Sequence, residues 1–214
     1  MHGASLADGT PISDGPGCIK NLLNTVYHAD GLLMGFKSIG VGLGTDTAKN
    51  TLCVVDLIDG SAKRQVLPGG AGSLIAFPAA GMTVNRTFYI GFELPRPAPT
   101  LIPELTAGTP VIVNYKNADF YNAEANGQLV NRVTSFQLTD AAGIKVDAII
   151  LSNAAILAGS NVDLTADSLI SAGTVILVPK KPLITGVYTA SFTADISATK
   201  TVTKIWSFST ADKY

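Results

Sequence analysis

A chain of 214 residues fits one large or two modest domains, since domains of about 100–150 residues are commonest. Hydrophobic residues make up 47% and charged residues only 14%, which leaves the polar surface to Thr, Ser, Asn and Gly and suits a secreted, periplasmic or cell-surface setting. With a net charge of −1 and no basic cluster interleaved with aromatics, nucleic acid is excluded as a partner, and no apolar run approaches the roughly 20 residues of a transmembrane helix.

The opening stretch, MHGASLADGTPISDGPG, lacks the basic, apolar and small-residue pattern of a leader. The expectation is that a leader has been removed or that the chain begins within a longer parent. From Gly17 onward, Ile19, Leu22, Leu23, Val26 and Tyr27 recur at helical spacing and predict one helix with a single buried stripe. Asp14, Pro16 and Gly17 start it, and Gly31 and Gly35 end it around residues 30–34. At 100° per residue, His28 lies almost opposite that stripe. Tyr27 and His28 are the candidate ligand-binding pair, because an imidazole near neutral pH moves protons or binds divalent ions. A solvated or hydrogen-bonded histidine is the alternative reading, and one histidine holds a metal only with partners, which here have to come from outside the chain.

SIGVGLG (38–44) and TLCVVDLI (51–58) read as an antiparallel hairpin around a polar turn. The alternating glycines do not make a phosphate loop, because a strand rather than a helix follows them; they allow close backbone packing. Cys18, opening the helix, and Cys53, within the second strand, either form one disulfide or remain two buried thiols. DGSAKRQVLPGGAGS (59–73) has turn residues and no periodicity, as a linker does. Beyond it, LIAF, TFYIGFEL, PVIVNY, RVTSFQLT, VDAIIL, TVILVP, GVYTASFTADI and TKIWSFST are short strands with frequent turns, the pattern of a β-sandwich. ELPRPAP (93–99) is extended and excluded from a central strand by its alternate prolines. Asn161, Asp163 and Asp167 offer oxygen ligands for calcium or simply build a turn. Tyr115, Phe120 and Tyr121 with Asn114, Asn117 and Asn122 either stack on sugars or pack in a core. No Gly-x-Ser-x-Gly elbow supports acyl transfer.

The stretch CIKNLLNTVYHADGLLMGFKSIGVGL, with Tyr27-His28, Leu32-Leu33 and Ile39-Gly40-Val41-Gly42, resembles the CAP superfamily of cysteine-rich secretory, antigen 5 and pathogenesis-related 1 proteins. FPAAGMTVNRTFYIGFELPRPAP, GTPVIV and LVPKKPLITGVYTASFTADI, closing on KIWSFST, resemble the Ig-like sandwich that follows this domain in some bacterial proteins. There Tyr188 is placed to bond upstream backbone, and Trp206 and Phe208 to fill one face. The resemblance implies that the chain holds only the C-terminal half of a CAP domain. His28 then matches the later cavity histidine, with Ala29 where an arginine is usual.

The expected fold is therefore mainly β. A partial CAP-like α/β unit of one helix plus a hairpin occupies 1–60, a linker 61–72, and an Ig-like antiparallel β-sandwich 73–214. The expected function is a secreted or cell-surface binding module, non-enzymatic in this chain, with a lipid, glycan or protein ligand. Competing readings are a CAP-type hydrolase or metal-dependent site completed outside the chain, and a structural sandwich of a surface assembly. No cofactor is expected unless the missing half supplies a divalent-metal set, and the expected association is with a second copy or with that missing half.

Overall fold

The computed structural model describes residues 14–45, 47, 51–58, 67, 69–153, 156 and 159–212. Where one helix is predicted, two form. α1 (Gly15–Leu23) starts at Asp14, whose side chain accepts the Gly17 N–H at 2.7 Å, with proline in the first turn. α2 (Tyr27–Leu32) follows after three residues. The break is made by polar groups that compete with the helical ladder. Thr25 Oγ1 donates to Leu22 O at 2.7 Å, Asn24 Nδ2 donates to Thr87 O at 2.9 Å, and Thr109 Oγ1 donates to Asn24 Oδ1 at 3.1 Å. The new helix start is capped from a distance by Glu93, whose carboxylate accepts the N–H groups of Val26 (2.9 Å) and Tyr27 (2.7 Å).

β1 (Ser38–Thr45) and β2 (Thr51–Ile58) form an isolated antiparallel ribbon, in register from Ser38 opposite Ile58 to Thr45 opposite Thr51. The remaining strands build the sandwich: β3 (Ile75–Phe77), β4 (Thr83–Asn85), β5 (Phe88–Tyr89), β6 (Thr106–Ala107), β7 (Val111–Asn114), β8 (Arg132–Asp140), β9 (Ala148–Ser152), β10 (Leu164–Ala166), β11 (Thr174–Pro179), β12 (Gly186–Ser197) and β13 (Lys200–Ala211). One sheet has the order β10-β9-β11-β7-β3 and the other β4-β13-β12-β8, while β5 and β6 pair separately. Both large sheets are antiparallel within and carry one parallel edge strand, β10 on β9 and β4 on β13. The fold is a β-sandwich, mainly β, as its strand pattern predicts.

The core lies between the sheets, where Tyr115 meets Phe192 (ring centroids 5.5 Å) and Phe136 meets Phe192 edge-on (5.2 Å). TVILVP, apolar at every position but its first, is buried along its whole length as β11, the central strand of its sheet. At the closing corner Tyr188 Oη accepts the Ile184 N–H at 3.0 Å and donates to Ile184 O at 3.2 Å. Trp206 Nε1 donates to Pro78 O at 2.8 Å. The sandwich core also takes in Val26 and Ala29 of the helical segment.

Two local expectations change. TFYIGFEL is a strand only at Phe88–Tyr89 and then turns through a 3₁₀ segment, Ile90–Phe92. At Gly91 a Cβ would sit 2.9 Å from Tyr89 Cε1, so a larger residue requires the tyrosine ring to shift. A third helix, α3 (Ala118–Ala125), follows Asn117, whose side chain accepts the Phe120 N–H at 3.0 Å.

Candidate functional site

The predicted pair, Tyr27 and His28, sits where α2 meets the sandwich. Glu93 is 1% exposed beneath this junction and ends the β5 turn segment, so its carboxylate is aimed at the α2 N-terminus by the fold of a distant loop. Two backbone N–H groups satisfy its oxygens, and the positive end of the short helix faces its charge. His28 Nδ1 lies 3.4 Å from Glu93 Oε1, and this contact raises the imidazole above its ordinary range, against the lowering effect of partial burial. The histidine side chain is 55% exposed, on the side away from the core.

This group does not form a proton relay. Thr25 Oγ1 also approaches His28 at Nδ1, at 3.4 Å, so hydroxyl and carboxylate compete for one ring nitrogen. A hydroxyl–imidazole–carboxylate relay needs one partner on each nitrogen. Tyr27 turns the other way and donates its hydroxyl to Asp167 Oδ2 at 2.8 Å; burial first, and that carboxylate second, push its phenol well above the usual range. Asp30, 3% exposed, accepts the Ser171 N–H at 2.8 Å through Oδ2, and burial raises its carboxyl above the usual value. Asn114 Nδ2 closes the junction by donating to Leu33 O at 3.2 Å. These contacts orient the helices on the sandwich.

The other candidates are placed in the frame of the fold. Asp163 and Asp167 stand on either side of β10, and Asp167 is engaged by Tyr27 Oη and the Leu169 N–H. Among the described residues no group of three or more His, Cys, Asp or Glu side chains is gathered to hold a metal ion. Four of the aromatic and amide set are core and capping structure, Tyr115 and Phe120 at 0% exposure with Asn114 and Asn117 buried, whereas Tyr121 is half-buried and Asn122 exposed; Tyr115 Oη donates to Asn131 at 2.7 Å. A cleft of about 440 Å³ opens between β8 and β9–β10, with Phe136 and Leu138 on its floor and Lys145, Lys180 and Asp163 at its rim. None of the junction residues lines it.

The feature that sequence reasoning missed is the exposure of the ribbon. Of fifteen exposed large hydrophobic residues among those described, six lie on the sixteen residues of β1 and β2: Ile39, Val41, Leu43, Leu52, Val54 and Ile58. In the antiparallel register directly opposed residues share a face. One face therefore carries Ile39, Val41 and Leu43 with Leu57, Val55 and Cys53, and it turns toward α1. Cys18 and Cys53 are joined as a disulfide, Cα–Cα 6.0 Å, and Gly15 approaches Val41. The opposite, open face carries Ser38, Gly40, Gly42 and Gly44 with Ile58, Asp56, Val54 and Leu52.

No protein-family model matches the chain, and no curated protein matches it. Solved structures similar to it include PcoC, a methionine-rich copper resistance protein from Escherichia coli, at 14% identity, covering 64% of this chain and 93% of that one with a TM-score of 0.36. Its selenomethionine form gives 15%, 64%, 95% and 0.35. CopC from Methylosinus trichosporium OB3b gives 14% identity over 64% and 90% of the two chains, TM-score 0.33. At this level the likeness assigns no function.

These findings correct the CAP resemblance, since no family model matches and the solved structures named above are PcoC and CopC rather than CAP proteins. Tyr27 has a local role that accounts for it without a CAP domain, its hydroxyl donating to Asp167, while Gly40 and Gly42 lie on an exposed ribbon. The expectation of no cofactor, with a divalent metal entering only through a missing CAP half, falls with its premise. Among the described residues no helix is long and apolar enough to cross a membrane.

Proposed function

We propose that this chain is a secreted or cell-surface binding module whose contact element is the β1–β2 ribbon, presented by a rigid β-sandwich. The observation that supports the reading is the row of exposed aliphatic side chains on the ribbon's open face, Leu52, Val54 and Ile58. Contiguous exposed apolar surface on a soluble body marks an interaction site, whereas single exposed aliphatics mean nothing. An isolated two-stranded ribbon is only marginally stable in water, so keeping one exposed is costly unless something uses it. The geometry at His28 adds no chemistry to this reading, because its neighbours lock a helix start.

The test is capture of displayed random peptides by the full chain, wild type against the L52T/V54T/I58T variant. Threonine keeps the strand propensity while removing the apolar face. The expected result is peptides bound by the wild type and lost with the variant. Peptides captured equally by both overturn the assignment of the ribbon as contact element.

A further inference from the structure

The open face of the ribbon has a composition that its own packing does not require. Gly40, Gly42 and Gly44 stand there beside Asp56, Val54 and Leu52. None adopts the left-handed backbone that favours glycine. A Cβ at Gly42 or Gly44 would meet no heavy atom within 4 Å, and one at Gly40 only Asp56 Cβ at 3.8 Å. Glycine weakens a strand interior, and where nothing inside the molecule asks for it, it marks close approach by another backbone. Beside this flat lane, Leu52, Val54 and Ile58 stand 40%, 58% and 54% exposed.

Among the described residues Asp56 is the one charged group on this face. Covering the face removes its carboxylate from water, which is tolerated only when a cation pairs with it. A second copy stacked on the same face brings a second Asp56 and no cation, since the rest of that face is Ser38, glycine and aliphatic side chains. Insertion into lipid is disfavoured by Asp56 itself, whose carboxylate stands among the aliphatic side chains that would have to enter the hydrocarbon.

We propose that the open face docks a segment of a partner protein that carries one lysine or arginine between aliphatic side chains. The cation pairs with Asp56, and the segment's backbone lies along the glycine lane beside Val54 and Leu52. This inference rests on the ribbon being the contact element and names the chemistry of what it contacts.

The experiment pans a displayed random-peptide library on the full-length chain as wild type, D56N, D56K and G42V, with sedimentation of the wild type run alongside. Valine at 42 fits the strand and the open space, and an unchanged melting temperature confirms that the variant folds. The wild type is expected to enrich a lysine or arginine flanked by aliphatics. The leading peptide, resynthesised, should bind D56N and G42V at least tenfold more weakly, and D56K should enrich aspartate or glutamate instead. Peptides that depend on Leu52, Val54 and Ile58 yet carry no cation and bind D56N unchanged overturn this inference while the contact-element reading stands. A selection in which nothing depends on the ribbon overturns both. Self-association abolished by G42V overturns the choice of partner in favour of a second copy.

Discussion

Removing the Cys18–Cys53 disulfide should release the ribbon before it affects the sandwich. The bond spans a sequence separation of 35 and joins the ribbon to α1, the ribbon's main packing partner. Closing a loop of that length restricts the unfolded chain by about 13 cal/mol/K in the chain-entropy model, or about 4 kcal/mol at 25 °C. Hydrogen exchange reads the effect locally. In a C18A/C53A double variant, the amides of β1 and β2 should lose protection by nearly three powers of ten, the equivalent of that energy. Those of β11 and β12, in the sandwich core, should be unchanged. Urea unfolding followed by the fluorescence of Trp206, buried against Pro78, should move little, because that probe reports the sandwich. Equal protection of β1 and β2 in wild type and double variant would show that packing on α1 suffices to hold the ribbon and would refute the reasoning. A uniform loss of protection across both sheets would refute it too, by showing that the ribbon and sandwich open together.

Three further outcomes follow from the junction and the corner. Glu93→Ala leaves two backbone N–H groups without their acceptor at a buried site and should cost about 3 kcal/mol by urea unfolding, with Glu93→Gln intermediate because one carbonyl oxygen remains. The stability contributed by His28 and Asp30 should decline as pH rises. His28, raised by Glu93, contributes fully below its unfolded value near 6.5 and loses that contribution as pH passes its higher folded value. Asp30, raised by burial, contributes fully below about 3.8 and loses its contribution as pH rises through its own raised value. H28Q should therefore flatten the upper limb of a stability–pH profile and D30N the lower, and a profile unchanged in both variants refutes the assignment. Tyr188→Phe removes both hydrogen bonds to Ile184 and should cost about 1–2 kcal/mol, read as a lower urea midpoint with an unchanged slope.

Strand periodicity made the sandwich legible in the sequence. TVILVP reads as a doubly buried strand, and GVYTASFTADI and KIWSFST, with their alternation, occupy the paired strands β12 and β13. The elements that escaped are those whose cause is remote or whose length is too short for a period to show. The helix break at Asn24–Val26 depends on Thr87, Glu93 and Thr109, more than sixty residues away, so the local stripe reads as continuous. β4, β6 and β10 are two or three residues long. α3 did carry a local signal, Asn117 as cap with Asp119 in the first turn, but its short, weakly patterned face hid it. The ribbon was legible as a hairpin and illegible as a surface, because TLCVVDLI has the same composition whether it lines a core or stands in solvent.

The boundary at residues 61–72 remains a proposal from composition, and the packing bears on how such a division behaves energetically. Val26 and Ala29 belong to the sandwich core, and Asn24, Tyr27, Asp30 and Leu33 are tied to it by side-chain hydrogen bonds. Buried bonds to Glu93 and Asp30 fix orientation more than they add net stability, since each must first offset the desolvation of a carboxylate. Apolar burial at Val26 and Ala29 supplies the attraction, and the carboxylates select one pose. Among the described residues the ribbon has neither kind of tie to the sandwich comparable in strength: it packs mainly on α1 and is anchored by one covalent bond. Order is thus passed from sandwich to helices by packing and from helices to ribbon by the disulfide. A ribbon held in this way keeps its open face clear of the body, as a contact surface requires.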